Sequence, residues 1–366
     1  MNARPLRMTF VLPSFSPTGG AQVVYRHTAQ ALARGHRVSI VAARPPLVTP
    51  WRPGAALHLK RWVYNRFFER VGGTLSHYGV RAVTREVPRV NAATMPSADV
   101  VVATSFETAE WVADLPERVG ARAYFLQDYE AWTSDLEPRV DATWRLPFAR
   151  LAISRWLVDL GRERFGVECR GPIGNGVEAE RFHPPVASAR TGPPTVGAVY
   201  DQRPGKACEL LLATLESIAH ERPGTRFLLF GRTRLRHQLP SGTRYIWNPR
   251  WDRIPELYRE MDLFLHASVR EGWGMPPMEA MSSGCAVVAT LSGGVPEFAD
   301  ASCARLVPPG DPQALLNAAL GLIDRPDERV ALGHAARERM RMETWGRVHE
   351  RMEAELLRAA ERRTMP

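Results

Sequence analysis

Glu271 and Glu279 bracket the stretch EGWGMPPME, two carboxylates separated by seven residues of glycine, proline and apolar side chains. Carboxylates in such a setting can accept hydrogen bonds from ligand hydroxyls. Gly272 and Gly274 allow backbone to approach a ligand closely, since no Cβ intervenes, and Trp273 and Met275 complete the loop. Pro276 and Pro277 suit the first turn of a helix, where a missing N–H costs least. Glu279 then falls near the positive end of that helix, and Gly284 ends it. The apolar run LFLHAS leads directly into this segment, and in open parallel sheets ligands bind beyond the carboxyl ends of strands. A purely structural alternative has Glu279 complementing the helix dipole and Glu271 solvated on a loop.

Three other places carry chemistry. In VYDQRPGKACELLLA, Arg203 and Lys206 place two cations just after an apolar run, where they can hold an anionic group. Of 48 basic residues only Lys60 and Lys206 are lysine, so a lysine here is more informative than one more arginine. Gly19 and Gly20 follow the first apolar run and open a helical pattern, a position where backbone amides can bind phosphate or sugar. Their spacing is not G-x-G-x-x-G, which removes the main support for a dinucleotide-dependent dehydrogenase. In FLQDYEAW, Gln127 can donate a hydrogen bond to a ligand hydroxyl, while Asp128 and Glu130 can accept one. Solvated or tight turns would explain each of these segments in isolation.

These residues need a scaffold that collects loops from distant parts of the chain. Met8–Pro13, the helical pattern Ala21–Ala33 and Val38–Ala42 form a strand, helix, strand unit. Further strands are expected at Ala98–Thr104, Ala123–Leu126 and Leu151–Ser154. A turn-rich segment with four prolines, His183–Pro194, reads as a linker. The rhythm then restarts at Thr195–Val199, Arg226–Phe230, Leu263–His266, Cys285–Ala289 and Arg305–Val307, with helices near 207–220, 254–261 and 312–323. Short continuous apolar strands alternating with helices predict parallel sheets covered on both faces. The expected organisation is α/β: a Rossmann-like domain over 1–183, a linker over 184–194, a second such domain over 195–344, and a helix over 345–366 that packs back on the first domain.

At 366 residues, two domains of ordinary size are the natural expectation. A net charge of +9 favours anionic partners without choosing among them. No apolar run approaches the ~20 residues needed to span a bilayer, and the start MNARPLRMTFVLPSF lacks the apolar core and cleavage site of a signal peptide. The expected location is the cytoplasm. Cys169, Cys208, Cys285 and Cys303 lie far apart and form no zinc or disulfide pattern. The segment LKRWVYNRFFERV, 59–71, interleaves basic and aromatic residues; it reads either as a domain helix or as a contact with an anionic membrane surface.

The stretch EGWGMPPMEAMSSG resembles the donor signature of retaining glycosyltransferases of family 4, with Trp273 in place of the usual phenylalanine. PTGGAQVV, ISRW, IGNGVEAERFHP, the segment Pro249–Met261 with its LYREMDLFLHAS continuation, and LSGGVPEF resemble other segments of that family in the same order. The resemblance implies a GT-B fold, two Rossmann-like doubly wound domains facing a central cleft, with the acceptor bound mainly by the first domain and a nucleotide-diphosphate sugar mainly by the second. It implies that backbone amides at 272–275 and Glu271 engage the transferred sugar, that Glu279 binds ribose hydroxyls, and that Gly19 and Gly20 approach pyrophosphate or sugar. Lys206 and Arg203 would neutralise the leaving diphosphate, and Gln127 and Asp128 would contact the acceptor.

Two departures stand out. The family's commoner arrangement is Gly-Arg…Lys-Gly, whereas Ala207 follows the lysine here. Gln127-Asp128 stands where many relatives have His-Asp, in a QDYE variant similar to a subgroup containing bacterial polysaccharide rhamnosyltransferases. The resemblance further implies transfer with retention, no metal and no other cofactor, and an acceptor that is a glycan, a lipid-linked molecule or a small hydroxyl compound, at the inner face of the membrane if lipid-linked. No nucleic-acid motif accompanies the basic charge. A nucleotide-sugar epimerase, a phosphorylase-like enzyme and a noncatalytic carbohydrate-binding protein are the competing readings.

Overall fold

The structure, a computed structural model, describes residues 4–15, 18–44, 80, 82–185 and 192–364. The basic aromatic segment 59–71 lies outside them. The chain divides into two compact units, Met1–Ile173 with Trp345–Pro366, and Gly174–Thr344.

The first unit is built on strands β1 (Arg7–Leu12), β2 (Arg37–Ala43), β3 (Val83–Val87), β4 (Val100–Ala103), β5 (Ala121–Leu126) and β6 (Ala149–Ala152). The second uses β7 (Thr195–Val199), β8 (Arg226–Gly231), β9 (Thr243–Trp247), β10 (Leu263–His266), β11 (Ala286–Thr290) and β12 (Arg305–Val307). Their orders are β3-β2-β1-β4-β5-β6 and β12-β11-β10-β7-β8-β9, and every pairing is parallel. Counted within each unit, both are the doubly wound order 3-2-1-4-5-6, with flanking helices. The central strands are continuous buried apolar runs, as β4 and β11 show, because helices cover them and leave no face for polar residues.

In this topology neighbouring strands leave the sheet in opposite directions at one point, between β1 and β4 in the first unit and between β7 and β10 in the second. Loops diverging there open a crevice at the carboxyl ends of the strands, where ligands bind. Gly19–Ala33 is the helix after β1, capped by Thr18, whose side chain accepts from the Ala21 N–H at 3.3 Å. Its other end is closed by Gly35 at φ +86°, a left-handed conformation that suits glycine.

Strands β3 and β9 were not expected from sequence. Both lie at sheet edges, and their sequences VTREV and TRYIW mix polar with apolar residues, of which Val83 and Trp247 are exposed. An edge strand lacks cover on one side and so lacks the apolar run that marks its neighbours. The first domain also ends earlier than expected, at Ile173 rather than 183. Residues 174–183 belong with the second unit because Phe182 packs edge-on against Tyr258, its carbonyl accepts from Ser282 Oγ at 2.7 Å, and Arg181 stacks on Trp251 at 4.4 Å.

The last helix, Trp345–Thr364, lies against the helix Gly19–Ala33 in the first unit. Arg34 bonds Glu350 and Glu353, His36 Nε2 lies 2.6 Å from Glu353 Oε1, and His27 Nδ1 meets His349 Nδ1 at 3.2 Å beneath the Trp345 ring. Burial holds His27 well below the usual imidazole range and brings His349 down to about 4. The folded chain therefore binds fewer protons here than the unfolded chain. Stability is full above the unfolded imidazole value of about 6.5 and falls as pH drops toward 4, by roughly 3 kcal/mol for His349 alone. Urea midpoints measured between neutral and mildly acidic pH should show this loss, with a flatter profile for His349→Leu. Equal slopes in the two proteins would refute the assignment.

Candidate functional site

In the second unit three loops meet at Glu271. The loop after β7 carries Arg203 and Lys206, and the loop after β10 carries Ser268 and Glu271. They are stapled where Gly205 O accepts from the Val269 N–H at 2.8 Å and the Arg270 N–H at 3.1 Å. The loop after β11 closes on them at Gly293, where a Cβ would stand 1.8 Å from Glu271 O, and at Gly294, where one would meet the Trp273 ring at 2.6 Å. The two glycines of LSGGVPEF are required by this close approach.

Glu271 is 7% exposed. Its Oε1 accepts from Lys206 Nζ at 2.6 Å and from Ser268 Oγ at 2.9 Å, and His266 Nε2 lies 3.4 Å away. Burial works to raise this carboxyl, but the Lys206 ammonium and the hydrogen bonds outweigh it and hold Glu271 below the ordinary carboxylate range. Burial drives His266 down to about 4, with Lys206 pushing the same way and Glu271 opposing. At neutral pH the cluster holds an ionised glutamate, a lysine and a neutral imidazole. Lys206 side-chain exposure is 23%, so its ammonium is reachable by a ligand.

The loop residues Gly272, Trp273 and Gly274 are buried, and Gly274 adopts φ +108° just before the helix Met275–Ser282. Pro276 and Pro277 take two of the first three helical positions, so Met275 is the only one of the three that keeps an N–H. The Trp273 indole packs against Phe298 and donates toward Met278 Sδ at 3.5 Å, which makes its side chain part of the loop's own core. Glu279 is the fifth of the eight helical residues, beyond the first turn, so its place is set by a side-chain contact more than by the helix end expected from sequence. That contact is Tyr258, whose hydroxyl donates to Glu279 Oε2 at 3.0 Å in a buried pair. Burial keeps the Tyr258 hydroxyl protonated and thus a donor.

Arg203 is placed differently from Lys206. Its side chain, 72% exposed, turns back to Asp201, with Nε 2.9 Å from Oδ2, while Lys206 alone of the two reaches Glu271. The i to i+2 spacing lets the Asp201 carboxylate, on the same turn, capture the guanidinium. Ala207, where a glycine is commoner, holds φ +47° at the start of the helix Cys208–Glu221.

In the first unit Gly19 and Gly20 are the first two residues of their helix, and a Cβ on Gly20 would lie 3.2 Å from Gln127 Nε2. The structure thus brings Gly20 and Gln127 together, at the ends of β1 and β5. Gln127 Nε2 donates to Thr104 O at 3.4 Å, and its Oε1 is buried with no hydrogen-bond partner among the described residues. Asp128 Oδ1 accepts from the Tyr129 N–H at 2.8 Å, and Tyr129 is anchored by Asp141 at 2.7 Å. Glu130 caps the helix Phe106–Ala113 through the Phe106 N–H at 2.6 Å. Desolvation, with Glu107 and Asp128 adding repulsion, pushes its carboxyl up to about 8.

Sequence reasoning passed over Ser268, His266 and Tyr258 as functional positions. All three lie in the LYREMDLFLHAS run, where Ser268 and His266 sit beside the strand end and Tyr258 faces Glu279. Among the described residues no group of three or more His, Cys, Asp or Glu side chains is arranged to hold a metal ion. No helix among them is long and apolar enough to cross a membrane.

Residues 194–325, which carry Lys206, Glu271 and Glu279, match the family model described as glycosyl transferases group 1. The chain is 25% identical over 190 residues to the phosphatidylinositol N-acetylglucosaminyltransferase gpi3 subunit of Schizosaccharomyces pombe, covering 50% of this chain and 42% of that protein. It is 45% identical over 75 residues to the MMP alpha-(1->4)-mannosyltransferase of Mycolicibacterium hassiacum, 20% of this chain and 18% of that one. The chain thus spans less than half the length of these curated relatives. Among solved structures, Anabaena HepE in complex with UDP and glucose superposes with a TM-score of 0.68 at 17% identity, over 95% of this chain and 98% of that one. The protein has the GT-B fold.

Proposed function

We propose that the chain is a retaining glycosyltransferase that moves a hexose or deoxyhexose from a nucleotide-diphosphate sugar to a hydroxyl of a glycan, lipid-linked or small-molecule acceptor. The observation that carries this reading is the part-buried Lys206–Glu271 pair at the topological switch point of the second unit, inside the segment matched to group 1 glycosyl transferases. Relatives and structural neighbours whose names specify sugar transfer or bound UDP and glucose support it.

Negative charge accumulates on the diphosphate as the glycosidic bond breaks, and a cation already positioned there stabilises it without reorganisation. Lys206 has that role. Amides of 272–275 and Glu271 hold the transferred sugar, and Glu279, fixed by Tyr258, takes the ribose hydroxyls. Gly19, Gly20, Gln127 and Asp128 serve the acceptor side. The leaving phosphate oxygen accepts the acceptor's proton as the new bond forms on the same face, so neither a side-chain nucleophile nor a metal is required.

A thermal-shift screen of UDP, GDP, ADP and dTDP sugars should give a stabilised protein with one nucleotide series, since a ligand that binds only the folded state raises its melting temperature. That nucleotide sugar is then expected to donate its sugar to a hydroxyl acceptor. No shift with any of them would reject the reading. An epimer or free sugar phosphate formed from the nucleotide sugar alone would replace it with another activity.

A further inference from the structure

Two groups compete for the Lys206 charge. Glu271 holds it at 2.6 Å in the ligand-free chain, and the proposed function needs it on the diphosphate. A buried carboxylate deprived of its cation is strongly disfavoured. His266 Nε2 lies 3.4 Å from the same Glu271 oxygen and is buried, with no hydrogen-bond partner among the described residues. It is placed at the end of β10, where its paired residue on β11 is Ala289, which carries no charge. The charged groups that act on it are Glu271, on the loop after its own strand, and Lys206, on the loop after β7.

We infer that binding of a nucleotide sugar is coupled to uptake of a proton by His266, whose imidazolium then pairs with Glu271 while Lys206 turns to the diphosphate. The inference rests on the proposed function for its ligand. The proton comes from solvent, the imidazolium donates from Nε2 to Glu271 Oε1, and no other covalent bond changes. In the ligand-free chain burial and the nearby ammonium both keep His266 neutral. Once phosphate oxygens claim the ammonium, the opposition from Lys206 is lost, and the attraction of Glu271 is set against burial alone, so His266 rises from its ligand-free value. His266 acts here as a positioning residue, since it reaches the ligand only through Glu271 and Lys206.

The test uses the full chain and whichever of UDP-glucose, GDP-mannose, ADP-glucose and dTDP-rhamnose gives the largest thermal shift. Each phosphate of these compounds carries one ester and one anhydride bond, which leaves only a strongly acidic oxygen, so neither titrates near neutrality. Calorimetric titration at about pH 5, between the buried value of about 4 and the ordinary imidazole value of about 6.5, in two buffers of different ionisation enthalpy, counts the protons exchanged. The wild-type chain should take up a measurable fraction of a proton, growing as pH falls because burial still opposes the imidazolium, and its affinity should strengthen on acidification by up to about tenfold per pH unit. His266→Leu and His266→Gln should bind the same compound with uptake near zero and a flat pH profile. His266→Gln, which can still donate to Glu271, should keep more affinity than His266→Leu. Zero uptake by the wild-type chain, or equal uptake in wild type and a folded variant, overturns the inference. Absence of binding by wild type to all four compounds rejects the proposed function instead.

Discussion

Lys206→Ala is expected to lower kcat/KM for sugar transfer by roughly 10²–10³-fold, the usual cost of losing one preorganised charge-stabilising donor. The same change leaves the Glu271 carboxyl 7% exposed and without its 2.6 Å partner. Breaking a fully buried pair costs about 3–5 kcal/mol. With 23% of the Lys206 side chain exposed, solvent screens part of this and about 1–3 kcal/mol is the expected loss. The two consequences are separable. Adding Glu271→Gln to Lys206→Ala removes the stranded charge, so the melting temperature should recover while transfer remains low. Turnover within tenfold of wild type for Lys206→Ala would remove the lysine from the diphosphate site, and loss of both properties together in the double variant would make the pair structural.

Gly293→Ala is the substitution expected to damage the site most without replacing a charged residue. The residue holds φ +57°, and its new Cβ would stand 1.8 Å from the Glu271 carbonyl oxygen and 2.5 Å from the carbonyl carbon. Both neighbours are backbone, so no rotamer change relieves the clash. The left-handed conformation alone costs a non-glycine residue roughly 1–2 kcal/mol. With the clash added, about 3 kcal/mol or more of stability is at risk, in the range that marks a named structural fault. If the chain folds instead by shifting the 268–274 loop, Glu271 moves off Lys206, and a displacement of about 1 Å at a reacting centre costs on the order of 10²-fold in rate. Gly19→Ala is the control, with no atom within 4 Å of its Cβ, and should fold like wild type. Denaturation midpoints and transfer rates for the pair decide the matter; a Gly293→Ala chain as stable and active as wild type would contradict the loop packing.

The inner β-strands were legible because a strand buried on both faces is a nearly continuous apolar run, as in VVVA of β4 and AVVA at the start of β11. Edge strands β3 and β9 escaped because half-covered strands tolerate VTREV and TRYIW. Glu271, Glu279 and Lys206 were legible as chemistry by residue type and setting: carboxylates around a glycine-proline turn, and a lysine in a chain that has almost none. The sequence by itself also determined the alternation of strands and helices, hence two parallel sheets covered on both faces. Which charge meets which was decided by tertiary structure alone. Arg203 and Lys206 stand three residues apart, yet one closes on Asp201 and the other on Glu271, 65 positions away. His266 reads as one more residue of a buried strand until the loops after β7 and β10 are joined at Gly205. Tyr258 reads as a core aromatic until its hydroxyl is found on Glu279. Local sequence encodes burial and turn geometry through side chains and their neighbours in the chain. Pairing of charges depends on which loops a crossover topology brings to one end of the sheet, and a linear pattern carries no record of that distance.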